Sequence, residues 1–302
     1  MKIALVITGL GVGGAEKVVC SLADEFSKRG NDVLILYLRG PILTLPRSKR
    51  VKLKGLGLSS ISQLPIVYFK LRSELKEFCP DVVHSHLDHA NLLTRFLRLS
   101  IRIPRLITTA HNTKITSSLR AFLYRLTNNL SDCFTNVSEE AVVSYLRHKV
   151  AAPGQLVAVH NGIDVDETRF SVSARNKVFE EFGFPEETRL VCAVGSFCEQ
   201  KDYPNLLNAI SSLVREMNKV KVVIAGDGPL RKDMERMAHG LGLDDTVFFL
   251  GIRRDVNTLL SASDIFVLSS EWEGFPMVVG EAMACETFVV ATDCGGVKEF
   301  VG

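Results

Sequence analysis

The sequence predicts an α/β protein built from two doubly wound, largely parallel sheets, each covered by helices on both faces. Three observations carry this. Short continuous runs rich in Val, Ile and Leu recur along the chain, as expected of strands buried on both sides. Segments of helical periodicity separate them. The alternation breaks once, at a polar stretch near the middle, and then restarts, so 302 residues divide naturally into two domains.

The elements follow in order. Residues 3–8 read as a buried strand and 15–29 as an amphipathic helix stopped by Gly30. Further strands are expected at 33–38, 82–85, 106–109, 134–137 and 157–159, with helical segments between them. Residues 161–175 are polar and aperiodic, and the linker is placed there, giving domains 1–165 and 166–302. The second series runs through a strand at 189–194, a helix from about 204 to 217, a strand at 221–225, a helix at 230–240, and strands at 247–250, 265–268 and 288–291. The result is two Rossmann-like domains facing a cleft, with ligands expected at the carboxyl ends of the strands. A helix is just starting at Val297, so the second domain is expected to be incomplete at its C-terminus.

Composition narrows the class. Apolar residues are 46 % and charged residues 23 %, enough to bury a core and too apolar for disorder. No apolar run reaches about 18 residues, so membrane contact would be peripheral. The opening MKIALVIT resembles a short signal peptide, but it leads into a glycine loop and a helix rather than a small-residue cleavage site. Seven cysteines, an odd number without a C-x-x-C pair, form neither a disulfide framework nor a zinc site. A reducing cytoplasm is expected, including the inner face of the plasma membrane.

The net charge of +2 hides an asymmetry: residues 1–170 carry +9 and residues 171–302 carry −7. The basic half is expected to meet something anionic. Its basic runs, 47–54 and 95–105, suit either ordinary solvated faces or adhesion to anionic lipid. They lack the interleaved aromatics of a nucleic-acid surface.

Gly9, Gly11 and Gly14 form a G-x-G-x-x-G between a strand and a helix, where glycines let the backbone approach a phosphate. A dinucleotide-linked oxidoreductase also needs an acidic residue at the end of the next strand. That strand ends Tyr37-Leu38-Arg39, and Asp32 stands at its beginning, so the glycine loop alone supports this reading.

The second half is more specific. Glu273 and Glu281 flank GFPMVVG after a strand. Glu273 is placed in the loop at the cleft, Pro276 at the first turn of a helix, and Glu281 about one turn in. The amides near Met277 and Val278 would form an anion site. Two carboxylates on either side of a bound diphosphate suit a nucleotide sugar. Lys201, in a loop after the strand at 189–194, could meet a phosphate. In the first half, His111 follows a strand end. His84, His86, Asp88 and His89 cluster after another, in a spacing that matches no closed set of metal ligands.

Together the segments GVGGAE, DVVHSH, TTAHN, FTNVSEE, VHNGID, EQKD, IAGDGP, SDIFVLSS, EGFPMVVGEAMA and ATDCGG resemble, in order and spacing, the retaining glycosyltransferases of family four, with the GT-B fold. The resemblance implies metal-independent, cofactor-free transfer of a sugar, with retention, from a nucleotide-sugar donor. UDP-sugar is the expected donor, and a saccharide or lipid-linked saccharide of the cell envelope the expected acceptor. It implies that Glu273 binds the donor sugar, Glu281 the ribose and Lys201 the diphosphate. Gly274, Phe275, Met277 and Val278 would line the donor, Gly13 and Gly14 would border its phosphates, and His111 would lie beside the sugar and acceptor. One position departs from the pattern: Ser196 follows Gly195 where the family commonly has Arg. A non-catalytic nucleotide-sugar-binding relic is therefore the alternative.

Overall fold

The computed structural model describes residues 1–114 and 117–301. It falls into two compact units, residues 1–161 and 162–302.

The first unit holds a seven-stranded parallel sheet. Its strands are β1 (Lys2–Ile7), β2 (Asp32–Tyr37), β3 (Lys52–Gly55), β4 (Val82–His86), β5 (Arg105–Ala110), β6 (Cys133–Asn136) and β7 (Leu156–Ala158), in the order β3-β2-β1-β4-β5-β6-β7. The helices are α1 (Gly14–Lys28), α2 (Leu64–Phe78), α3 (Asp88–Leu97), α4 (Ser118–Thr127) and α5 (Glu139–Arg147). Alternation within β1 shows why two layers of helices are needed. Ile3, Leu5 and Ile7 pack with Val19, Cys20 and Ala23 of α1, while Ala4 and Val6 pack with Val67, Leu71 and Leu75 of α2. The segment that mimics a signal peptide is therefore a central strand.

The second unit has a five-stranded parallel sheet, β8 (Arg189–Val194), β9 (Val220–Ala225), β10 (Val247–Gly251), β11 (Ile265–Leu268) and β12 (Phe288–Ala291), ordered β10-β9-β8-β11-β12. Around it lie α6 (Ala174–Phe182), α7 (Tyr203–Glu216), α8 (Arg231–Gly240), α9 (Val256–Ala262), α10 (Met277–Ala284) and α11 (Lys298–Val301). One layer packs Leu206, Leu207 and Ile210 of α7 against β9; the other packs Val178 and Phe179 of α6 with Leu259 and Leu260 of α9.

One expectation needs correction. β3 falls inside the run 47–54, expected only as a basic surface, because its sequence KLKG lacks an apolar face. It is an edge strand beside β2, and lysines on an edge keep other strands from pairing there. The units part after Asn161, at the start of the stretch where the linker is expected. The segment beyond is tied into the second unit, with Asn257 Nδ2 donating to the Glu167 carbonyl at 2.9 Å and the Ser171 amide to Ser261 Oγ at 3.3 Å. α6 begins inside the stretch assigned to the linker.

Candidate functional site

In the second unit four loops leave the carboxyl ends of β8, β9, β11 and β12, and their backbones lock together. Gly226 has φ +151°, and a Cβ there would fall onto the Gly195 carbonyl. Gly295 has φ +55°, and a Cβ there would strike the Glu273 carbonyl. Both positions need glycine for conformation and for close approach. The Tyr203 hydroxyl donates to the Gly195 carbonyl at 2.9 Å, and the Gly296 amide to the Gly274 carbonyl at 3.2 Å.

Glu273 sits on this frame, 6 % exposed. Its Oε1 accepts from Lys201 Nζ and from Ser270 Oγ, each at 2.6 Å, and its Oε2 accepts from Gln200 Nε2 at 3.0 Å. The loops are also tied through backbone: the Glu271 amide donates to the Gln200 carbonyl at 2.9 Å and Ser269 Oγ to the Lys201 carbonyl at 2.7 Å. Lys201 lies over Gly195, where a Cβ would come within 2.9 Å of its Cε. A buried carboxylate needs such pairing to stay ionised. The lysine expected to meet a phosphate thus rests on the glutamate expected to hold a sugar.

α10 begins at Met277 with Pro276 at the cap position, one residue earlier than Pro was expected to enter the helix. Its first amides, those of Met277 and Val278, have no acceptor within the helix and suit an anion. Glu281 lies one turn in and is 7 % exposed. The loop before the helix is anchored by Phe275, whose ring stacks on Phe300 at 4.2 Å. Gly280 faces Ile163 and Phe300 too closely for a side chain. Ser196 is exposed, next to the buried Phe197. Ser196, Lys201, Glu273, Gly274, Phe275, Met277, Val278 and Glu281 thus all belong to the loops and helix at one edge of this sheet.

In the first unit, Gly13 caps α1 and Gly14 opens it. The loop before them is pinned by the Leu43 amide on the Leu10 carbonyl (2.8 Å) and by Thr44 Oγ1 on the Gly11 carbonyl (2.6 Å). The Glu16 side chain folds over Gly13, and burial pushes its carboxyl pKa up. Asp32 is the first residue of β2 and so stands at the amino end, away from the glycine loop.

His111 directly follows β5. Its Nε2 lies 3.1 Å from Nδ1 of His86 on β4, and His84 Nε2 lies 2.7 Å from Thr109 Oγ1. The His84 and His86 rings are 4.1 Å apart. Burial pushes all three pKa values down, His84 to about 4, His111 to about 3 and His86 well below the ordinary value, with neighbouring imidazoles adding to the shift at His86 and His111. At neutral pH each is uncharged. The sequence cluster His84, His86, Asp88 and His89 divides otherwise: the Asp88 carboxylate accepts from Tyr124 Oη at 2.8 Å and from Arg120 at 2.7 Å. Among the described residues, no group of three or more His, Cys, Asp and Glu side chains is arranged to hold a metal ion.

The basic run 95–105 is largely structural. Arg95 is fully buried, its guanidinium lying over the Tyr124 and Phe134 rings at 4.8 and 4.4 Å and donating to Thr108 Oγ1 and Asn128 Oδ1, each at 2.8 Å. Arg98 pairs with Asp132 at 2.8 Å. A surface of another kind went unread: Leu119, Phe122 and Leu126 of α4 are 66 %, 56 % and 64 % exposed, at a spacing that puts them on one helix face. No helix among the described residues is long and apolar enough to cross a membrane.

Sequence reasoning also missed Gln200, Ser270 and the positioning of Glu273 by Gly295. Ser270 and Gln200 lie in the quoted segments SDIFVLSS and EQKD, but nothing local shows that their side chains converge across chain-distant loops.

Comparison with known proteins closes the description. The family model for Glycosyltransferase Family 4 matches residues 12–167, and that for Glycosyl transferases group 1 matches residues 174–302. The chain is 27 % identical to N-acetyl-alpha-D-glucosaminyl L-malate synthase of Bacillus anthracis, over 100 % of the chain and 81 % of that protein. It is also 27 % identical to a Campylobacter jejuni alpha-1,4-N-acetyl-D-galactosaminyltransferase named for a GalNAc-GalNAc-diNAcBac-PP-undecaprenol substrate, over 100 % of the chain and 82 % of the relative. Anabaena Alr3699/HepE, solved with UDP and glucose, superposes with a TM-score of 0.86 at 22 % identity, covering 100 % of the chain and 83 % of that structure, a likeness of fold.

Proposed function

This chain belongs to glycosyltransferase family 4 and has the GT-B fold, and from that premise we propose that it transfers a sugar from a UDP-sugar to a saccharide or lipid-linked saccharide of the cell envelope, with retention at the anomeric carbon. The observation that carries the reading is the buried Glu273 held by Lys201, Gln200 and Ser270 at the start of α10. It combines a cation for a diphosphate, helix amides for its oxygens and two carboxylates, Glu273 and Glu281, for sugar and ribose hydroxyls.

In the proposed reaction, the bond from the anomeric carbon to the diphosphate breaks on the face where the acceptor hydroxyl attacks. The acceptor proton passes to the departing phosphate oxygen, so no protein base is needed. Lys201 and the α10 amides then stabilise the growing negative charge. The Lys201 ammonium has three N–H donors, so it can keep its contact with Glu273 and still donate to the phosphate. Ser196 offers a neutral hydrogen bond where an arginine would offer a charged one. Such a contact is worth roughly 1.5–3 kcal/mol, so Lys201 and the helix carry more of the load.

The relatives' names support the substrate class: one acts on an undecaprenol-linked saccharide, and the superposed HepE structure holds UDP. Peripheral contact with anionic membrane is part of the same reading, supported by the first unit's 22 Lys and Arg against 11 Asp and Glu and by the apolar face of α4. The test is transfer from a panel of UDP-sugars to an undecaprenyl-diphosphate saccharide, with the product's anomeric configuration read by NMR. An α-linked product from an α-linked donor supports the reading. An inverted product overturns retention, and no product from any nucleotide sugar overturns the transferase assignment for this chain.

A further inference from the structure

The histidine pair in the first unit carries an inference of its own. His86 is 1 % exposed, and its Nδ1 lies 3.1 Å from His111 Nε2. Both rings are held neutral, so each has one N–H and one bare nitrogen. A hydrogen bond between them uses one proton, and two assignments satisfy it. Either His86 Nδ1–H donates to His111 Nε2, or His111 Nε2–H donates to His86 Nδ1. The other nitrogen of His86, Nε2, is buried and has no hydrogen-bond partner among the described residues. The second assignment would put a proton there and bury an orphaned N–H, whereas the first leaves only an unfilled acceptor, the more tolerated defect.

We propose that His86 is a positioning residue that fixes the tautomer of His111: His86 Nδ1–H donates to His111 Nε2, leaving Nδ1–H of His111 as a committed donor to a ligand oxygen.

The frame holds this pair in place. Residues 84 and 86 of β4 and Thr109 of β5 share one face of the sheet, as the pairing of His86 with Thr109 requires, and His111, just past the end of β5, meets His86. Leu87, directly after His86, has φ +70° and ψ 154°, a conformation costly for a leucine. It is retained by tight bonding between the two strand ends: the Leu87 amide donates to the Thr109 carbonyl at 3.2 Å, and Asn91 Nδ2 donates to the same carbonyl at 2.9 Å. The ends carrying His86 and His111 are thereby joined. A committed N–H donor favours a ligand hydroxyl or phosphate oxygen, which can accept, over a ligand N–H or ammonium group, which can only donate. The inference rests on the proposed function for the identity of that ligand, but not for the tautomer.

The experiment is long-range 15N–1H correlation NMR of the ligand-free, 15N-labelled chain at neutral pH, which distinguishes protonated from bare imidazole nitrogens. His111 is expected as the Nδ1–H form in the wild type. In His86→Asn, whose Nδ2 takes the place of the Nδ1 donor, the same form is expected. In His86→Leu the His111 signal should move toward the Nε2–H form, and kcat/KM for sugar transfer should fall about tenfold, with Asn recovering most of it. A wild-type His111 with its proton on Nε2 overturns the proposal, as does an unchanged tautomer in His86→Leu. Should His86→Leu not fold, the wild type and His86→Asn still decide: loss of the Nδ1–H form in either contradicts it. An inactive wild type with the Nδ1–H form intact would count against the transferase reading and not against the pairing.

Discussion

Lys201 Nζ and Glu273 Oε1 lie 2.6 Å apart, although 72 residues separate them in the chain. The lysine side chain is 17 % exposed and the glutamate side chain 8 %, so this is a largely desolvated pair between the loops after β8 and β11. Its partners do not share its fate equally. Without Lys201, the Glu273 carboxylate keeps only Ser270 and Gln200. Lys201→Ala should therefore destabilise the chain by roughly 1.5–3 kcal/mol. Lys201→Ala combined with Glu273→Gln should recover part of that loss. Urea unfolding of the two variants checks this; equal stability of Lys201→Ala and wild type would show that the pair contributes nothing.

Gly295→Ala should be more harmful than its size suggests. The residue adopts φ +55°, and its Cβ would press on the Glu273 backbone. Loss of more than about 1 kcal/mol is expected. Gly240→Ala at the end of α8 is the control, since a Cβ there meets nothing within 4 Å, and it should be neutral or stabilising by up to about 1 kcal/mol. Melting temperatures of both variants test the contrast.

The three imidazoles make the first unit acid-sensitive. Their folded pKa values lie below the unfolded value near 6.5. Below pH 6.5 the unfolded chain binds protons that the folded chain refuses, so stability should fall as pH drops from about 6.5 toward 4, at up to about 1.4 kcal/mol per group per pH unit. Carboxylates with depressed pKa values, such as Asp132 and Asp264, act only at lower pH. Melting curves between pH 7.5 and 4.5 should show the fall, and His84→Asn should make it shallower. A melting temperature that holds or rises over this range would contradict the assignment.

The apolar face of α4 should matter for membrane contact. Replacing Leu119, Phe122 and Leu126 together by Ser removes exposed side chains that pack on nothing in the core clusters of the first unit. Sedimentation with phosphatidylglycerol vesicles at low salt should fall several-fold, while stability changes little. Equal sedimentation of variant and wild type would remove α4 from the contact.

Much of this architecture was legible in the residues. β1, β8, β11 and β12 announce themselves as short apolar runs, and the strand before Glu273 together with Pro276 and the apolar residues around Glu281 marks a loop-to-helix passage. β3 was not legible, because an edge strand needs no buried face and its lysines look like a solvated patch. Arg95 misled for the opposite reason: a charged residue reads as surface unless its aromatic and hydroxyl partners are known, and Tyr124, Phe134 and Thr108 come from other elements. The contacts of Glu273 with Gln200 and Ser270, and of His86 with His111, join residues on different strands or loops, and local pattern carries no trace of them. The histidines of DVVHSHLDH are close in sequence in a spacing that fits no closed set of metal ligands, and the sheet instead pairs His86 with a histidine 25 residues away.

In the proposed reaction the loops around Lys201 and Glu273 bind the diphosphate of a nucleotide-sugar donor. The most direct measurement is thermal stabilisation of the wild type and of Lys201→Ala by UDP, with GDP, ADP and NADH alongside. A ligand at about a hundred times its dissociation constant adds roughly 2.7 kcal/mol. UDP should stabilise the wild type, and that stabilisation should be lost in Lys201→Ala. Stabilisation by NADH alone, or UDP stabilisation undiminished in Lys201→Ala, would contradict it.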